Sequence, residues 1–139
     1  MAVLTTERLS TAYTTYPARR TIPMRAAVRI FKGAMVAIDA SGNAMPAGLL
    51  AGGSVRVVGV AVATFDNSTG AAAALEVEVL VGQFKFVNNP GELVVRASVG
   101  AACFVLDDQT VSLTSATSTR PTAGIVQHID TDGVRVFFA

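Results

Sequence analysis

The 139-residue chain has no tryptophan, one cysteine and one histidine. A single cysteine, Cys103, excludes an internal disulfide, so stability must come from packing, a metal or oligomerisation. One cysteine and one histidine are too few for the usual zinc-ligand sets, and we expect neither a metal nor a cofactor. The same shortage leaves little material for nucleophilic or acid–base catalysis. We therefore expect a protein that is not an enzyme.

Long apolar runs are also missing. Glycine or a charged residue interrupts every valine-rich stretch before the roughly 18 to 20 residues that a membrane helix needs. The N-terminus, MAVLTTERLSTAYTTYPARR, lacks the apolar block of a secretory signal, so we expect synthesis and maturation in a cytoplasm and no membrane partner. Charged residues make up only 15% of the chain and hydrophobic residues 51%. Such a composition favours a surface partly covered by partners.

The few charges are unevenly distributed. Residues 1–32 hold six basic side chains and one acidic side chain, whereas residues 33–139 hold five basic and nine acidic ones. The first 27 residues are rich in Ser and Thr, contain Pro17 and Pro23, and show no sustained periodicity. We interpret residues 1–27 as an extended basic N-terminal arm and residues 28–139 as a β-rich body. A short helix over 5–15, capped by Thr6, is the alternative for the arm.

The body alternates short β-prone segments with Gly, Asn, Asp and Ser turns. The predicted strands are 28–31, 34–39, a short strand at 44–45, 55–65, 75–87, 103–106, 110–114 and a closing hairpin of 123–129 with 134–138. Turns are predicted at 32–33, 41–43, 66–70, 107–108 and 130–133, with loops at 48–53 and 115–121. This pattern predicts an all-β fold: a compact sandwich or barrel of eight or nine short, mostly antiparallel strands.

The segment LEVEVLVGQFKFV (75–87) shows the clearest alternation, with Leu75 and the valines that follow on one face. Past Gly82 the large apolar residues, Phe84 and Phe86, occupy even rather than odd positions. A slip of one residue moves side chains to the other face of a strand. We therefore predict a bend or bulge at Gly82, suited to a strand that crosses from one sheet to the other. The alternative is a strand whose two faces are covered in turn.

Five segments, in this order, resemble the phage head decoration (capsid cement) protein family: IFKGAMVAIDASGNAMPA (30–47), VRVVGVAVATFDNSTG (55–70), VEVLVGQFKFVN (77–88), VGAACFVLDDQTVSLT (99–114) and AGIVQHIDTDGVRVFF (123–138). The resemblance implies a compact β body, self-association as a homotrimer and attachment to the major capsid protein on the outside of an icosahedral virion. It brings no catalytic or cofactor residues. Residues 1–27 lie outside it.

Individual reactive residues have simpler structural interpretations. His128 is expected on a strand surface, and Cys103 is expected as a small buried hydrophobe. Asp107–Asp108 and Asp130–Gly133 lack the spacing of a calcium loop and suit turns. Glu76 and Glu78 share one strand face, where a solvated or intersubunit role is favoured over paired catalytic carboxylates.

The arm supplies the candidate contact residues: Tyr13, Tyr16 and Pro17 as apolar anchors, and Arg19, Arg20 and Arg25 as cations. The arginines suit an acidic protein surface, with which Arg pairs bidentately. Nucleic acid and a merely solvated tail stay open as alternatives, although nucleic acid is disfavoured by the acidic body. The resulting hypothesis is a capsid decoration protein. The alternative is a virion- or cell-surface-displayed β-sandwich module that binds carbohydrate or a host surface, which the scarcity of aromatic residues disfavours.

Overall fold

A computed structural model of the chain describes residues 18–48 and 56–139. These residues form eleven strands and one short 3-10 helix, Arg96–Ser98. The strands are β1 (Ala18–Pro23), β2 (Val28–Ile30), β3 (Met35–Ile38), β4 (Ala44–Pro46), β5 (Arg56–Ala61), β6 (Phe65–Asn67), β7 (Glu76–Asn88), β8 (Ala102–Asp107), β9 (Thr110–Ser112), β10 (Thr122–Asp130) and β11 (Gly133–Phe138). The predicted all-β class is confirmed.

Nine of these strands form one sheet that closes on itself. Its order is β1-β7-β9-β8-β10-β5-β3-β4, with β11 between β10 and β7 and a further pairing of β5 with β7. Strands β2 and β6 form a separate antiparallel pair. Most pairings are antiparallel, as predicted, and the exceptions are β7 with β9 and β5 with β10. The closed path gives a barrel-like body in which few strand edges stay unpaired.

The central strand is β7, which pairs with β1 and β5 over its first half and with β11 and β9 over its second. The predicted phase slip is confirmed: Val77, Val79 and Val81 are buried, whereas Phe86 is the buried large residue beyond Gly82. Gly82 has φ +134°, a backbone conformation that favours glycine. One strand thereby supplies side chains to two cores, from its odd-numbered face before Gly82 and from its even-numbered face beyond it.

Two clusters of buried side chains make up those cores. The larger contains Met35, Met45, Phe86, Val126 and Phe138 among others, and Phe138 packs edge-to-face on Phe86 with ring centroids 5.7 Å apart. The smaller centres on Met24, Ile30, Val36, Val77 and Val79. Neighbouring residues of β3, Met35 and Val36, enter different clusters because successive side chains of a strand face opposite sides. The strands between the clusters are therefore covered on both faces.

Residues 18–27, assigned from the sequence to the arm, are built into this body. β1 pairs antiparallel with β7 from Ala18↔Val81 to Pro23↔Glu76. Met24, immediately after β1, is completely buried in the smaller cluster, and its amide donates to the Leu75 carbonyl at 2.9 Å. Residues 1–17, including the alternative helix over 5–15, lie outside the described residues.

The hairpins predicted around 41–43 and 130–133 are observed as β3–β4 and β10–β11. The strand predicted over 55–65 is shorter, because β5 ends at Ala61 and residues 65–67 form β6, which pairs with β2. Val58 and Gly59 lie at an irregularity of the β3–β5 register, which Gly59 accommodates with φ +154°. Of the loop predicted at 48–53, residues 49–53 lie outside the described part of the chain.

Candidate interaction surface

Arg19 and Arg20 lie on β1, at the margin of the large sheet. As consecutive residues of a strand they point to opposite sides. Arg19 donates from Nη1 to Glu78 Oε1 at 2.8 Å, and the two side chains are 61% and 39% exposed. For Arg20, no ion pair is found among the described residues. The two arginines therefore form an exposed cationic edge, half neutralised by Glu78.

Arg25, the third predicted contact arginine, has a structural position instead. Its Nε lies 3.9 Å from Asp39 Oδ2, and its Nη1 lies 3.6 Å from the Met45 sulfur. Its backbone amide donates to the Ala44 carbonyl, and its own carbonyl accepts from Asn67 Nδ2 at 3.0 Å. These contacts join the end of β1 to β4 and β6. Arg25 is thus not a free cation available to a partner, and it does not share the exposed edge that carries Arg19 and Arg20.

Three of the six basic side chains in residues 1–32 are paired with acidic side chains of the body. Arg29 donates from Nη2 to Asp66 Oδ2 at 2.9 Å. The pKa of Asp66 is lowered to about 2, first by the hydrogen bond from Ser68 and then by that from Arg29. With Arg19, Arg25 and Arg29 paired in this way, the side-chain charges left in residues 1–17 are Glu7 and Arg8, which cancel. Tyr13, Tyr16 and Pro17 lie in that segment, outside the described residues.

The two residues considered for nucleophilic chemistry are not partners of each other. Cys103 is 1% exposed, and its sulfur contacts the Gly124 carbonyl at 3.6 Å. Burial raises the pKa of the Cys103 thiol to about 11, which suppresses the reactive thiolate. His128 is exposed and its Nε2 lies 3.6 Å from Asp130 Oδ1. Both residues therefore have the surroundings expected of structural residues.

The acidic turns are occupied with ion pairs and turn hydrogen bonds. Asp130 accepts two bonds from Arg135, at 2.8 and 3.0 Å. Asp132 accepts from Lys85 Nζ, which lowers the pKa of its carboxyl group. Asp107 accepts the Gln109 amide at 3.0 Å, an ordinary Asx-turn contact. No cluster of three or more His, Cys, Asp or Glu suited to a metal is found in residues 18–48 and 56–139.

A groove of about 540 Å³ lies beside the end of β7 and is open to a ligand. We call it the terminal groove; its lining residues are Val87, Asn88, Leu93, Val94, Val95, Arg96 and Ile129–Gly133. Val87, Leu93 and Val95 are 48%, 52% and 45% exposed, three of the eight exposed large hydrophobic side chains in the described residues. No sequence signal marks the groove, because Leu93–Val95 resemble any β-prone apolar run.

A polar cluster beside the groove was also missed. Glu92 accepts from the Thr114 amide at 2.8 Å, the Thr114 hydroxyl at 2.7 Å, the Ser112 hydroxyl at 3.0 Å and Arg120 Nη1 at 3.0 Å. The hydrogen bonds from Thr114, foremost, lower the Glu92 pKa to about 2. The cluster ties the 88–95 loop to the 113–121 loop. Glu92 lies 20 to 28 residues before its partners in the sequence, a separation that carries no local signal.

None of the helices in the described residues is both long and apolar enough to span a membrane. Comparisons of the chain with family models, curated proteins and solved structures find no match.

Proposed function

We propose that the chain is a structural decoration (cement) protein. It binds the outer surface of an icosahedral phage head, with the major capsid protein as partner, and stabilises the mature shell as a homotrimer. The observation that carries the proposal is the order of the resembling segments, which fall on consecutive elements of the fold. Residues 30–47 contain β3 and β4, 55–70 contain β5 and β6, and 99–114 contain β8 and β9. Residues 77–88 cover β7 except its first residue, and 123–138 cover β11 and all but the first residue of β10.

The surface chemistry supports a binding rather than a catalytic role. The cationic edge of β1 and the exposed aliphatic side chains of the terminal groove are contact features, and large exposed apolar patches typically mark protein interfaces. A carbohydrate-binding module would need exposed aromatic platforms. Among the described residues, Phe31 is the one aromatic ring counted as exposed, at 56%.

The stabilising mechanism is mass action. A ligand that binds the expanded lattice but not free subunits stabilises that lattice by about 2.7 kcal/mol per site at a hundredfold excess over Kd. Three linked contacts per trimer add avidity without any further contact chemistry. Low net charge, +1 for the whole chain, suits dense packing of copies on a shell.

The test is co-sedimentation of the purified protein with expanded heads assembled from the capsid protein of the same phage. We expect saturable binding and an increased temperature of head disruption. A deletion of residues 2–17 leaves β1 in place, whereas a deletion through residue 22 removes most of a sheet strand. The shorter deletion therefore measures the contribution of the N-terminal segment to head binding. Full-length protein that leaves expanded heads unbound at micromolar concentration contradicts the proposed function.

A further inference from the structure

The terminal groove combines aliphatic walls with one cation, Arg96, for which no ion pair is found within residues 18–48 and 56–139. Asp130 and Asp132, its acidic residues, are already paired with Arg135 and Lys85. Arg96 lines the same groove, and no carboxylate among residues 18–48 and 56–139 pairs with its guanidinium group. The groove thus fits a segment that carries aliphatic side chains next to a single carboxylate.

One edge of β7 is open between two of its partners. The Leu75 carbonyl accepts from the Met24 amide, just after β1, and the Val87 amide donates to the Gln109 carbonyl, just before β9. Leu75, which directly precedes β7, and Val87 are both odd-numbered residues, so their backbone groups face the same edge of β7. Backbone groups two residues apart in a strand face the same side. On this edge β1 reaches Val81 and β9 begins at Val87. In the described part of the chain, no strand covers this edge at Gln83 and Lys85, because β11 pairs with the opposite edge.

At its N-terminal end, β1 points along that open edge. β1 is antiparallel to β7, so a backward continuation from Ala18↔Val81 runs toward Val87. A continuation in this register would put Pro17 opposite Gly82, a position that needs no N–H directed at β7 and therefore tolerates proline. Pro23 opposite Glu76 already occupies a position of the same kind. A depression of about 270 Å³ that Lys85, Val87 and Gln109 help to line shares Val87 and Asp132 with the terminal groove.

Residues 1–17 are long enough to reach the terminal groove, and their side chains suit its aliphatic and cationic lining. Ala18 is six residues of β7 away from Val87, about 20 Å at strand spacing. Seventeen residues span up to roughly 56 to 61 Å when extended. Their one carboxylate, Glu7, is flanked by Leu4 and Leu9.

We propose that the terminal groove is the docking site of the chain's own N-terminal segment, residues 1–17, with the Glu7 carboxylate paired to Arg96. The docked segment covers Val87, Leu93 and Val95 in the free protein. This proposal goes beyond the decoration role and does not depend on it. A segment docked in this way stays bound to the β-rich body of the same chain until a partner displaces it.

Disulfide trapping in the full-length chain tests the proposal. Glu7→Cys with Arg96→Cys is oxidised beside a control pair, Glu7→Cys with Ser41→Cys, whose second site lies in the β3–β4 turn. Native Cys103 is buried and does not compete. We expect a predominantly intramolecular disulfide in the Arg96 pair and little in the Ser41 pair, since bridging needs Cα atoms within about 7 Å. Equal trapping in both pairs, or mainly intermolecular disulfides, overturns docking on the chain's own groove.

Charge exchange provides the second measurement. Hydrogen exchange of residues 3–9 is compared in the native chain, Arg96→Glu and the double variant Glu7→Lys with Arg96→Glu. Arg96→Glu should speed exchange roughly two- to fivefold, the scale of an exposed ion pair, and the double variant should restore the native rate. Unchanged exchange in Arg96→Glu, or no restoration, overturns the pairing. Neither experiment contains capsids, so its failure leaves the proposed head binding untouched.

Discussion

Replacement of Gly59 by alanine tests how β5 and β7 are held together. A Cβ atom at Gly59 would lie 2.7 Å from the Leu80 carbonyl oxygen and 2.9 Å from Val79 Cγ2. The backbone at Gly59 also has φ +154°, which L side chains rarely adopt. Backbone strain of this kind costs about 1 to 3 kcal/mol, and overpacking costs about 1 to 3 kcal/mol more. We expect Gly59→Ala to lower the free energy of unfolding by about 3 kcal/mol or more.

Three control glycines separate the two contributions. At Gly91 the nearest atom to a new Cβ is at an ordinary 3.4 Å, so Gly91→Ala should stay within about 0.5 kcal/mol of the native protein. Gly42 has φ +83° and open space, so its alanine variant carries only the conformational cost of about 1 kcal/mol. Gly124 has no unusual φ, but a Cβ there would meet Val136 Cγ1 at 2.8 Å and the Phe137 carbonyl, a crowding cost of about 1 to 3 kcal/mol.

The assay is urea denaturation followed by far-ultraviolet circular dichroism, because the chain has no tryptophan to report unfolding by fluorescence. A loss of about 3 kcal/mol corresponds to a decrease in Tm of roughly 10 °C for a domain of this size. The Gly59 variant should be the least stable of the four. Equal stability of Gly59→Ala and Gly91→Ala would refute the close packing of β5 against β7.

Three further outcomes follow from the polar contacts. The pKa of Glu92 is lowered from 4.5 to about 2 in the folded protein, so its stabilising effect is present above pH 4.5 and is lost as pH falls toward 2; Glu92→Gln should therefore flatten the pH dependence of Tm over this range. Arg19→Ala should change the unfolding free energy by less than about 1 kcal/mol, since its ion pair is exposed. In the same urea titration, Arg25→Ala should lower the unfolding free energy by about 1 to 2 kcal/mol, because it leaves the mostly buried Asp39 without its cation. Cys103 should react with a thiol reagent at pH 8 only on unfolding, and fast labelling of the native protein would contradict its burial.

Much of the fold could be predicted from local patterns. The period of two along 75–87, the slip at Gly82 and the turn residues at 41–43 and 130–133 are all signals of short range, and each matches the structure. The pairing of β1 with β7 has no such signal. Residues 18–23 contain two arginines and a proline, and they become a sheet strand because β7 offers an edge and Met24 fills a core position.

The candidate surface was harder to predict than the fold. The charge asymmetry of residues 1–32 is real, but sequence alone does not show that Glu78, Asp39 and Asp66 face the arginines across the sheet. The terminal groove depends on the loop after β7 meeting the β10–β11 turn, a contact between residues more than 30 positions apart. Contacts between residues so far apart in the sequence are set by the topology of the sheet rather than by the periodicity of any one strand.

We propose that this β body is a trimeric decoration protein of phage heads, and light scattering with and without expanded heads tests that proposal most directly. We expect a particle of three times the 14.3 kDa chain mass, either free or on the shell, and saturable addition of mass to expanded heads. A monodisperse monomer that adds no mass to expanded heads would contradict the account.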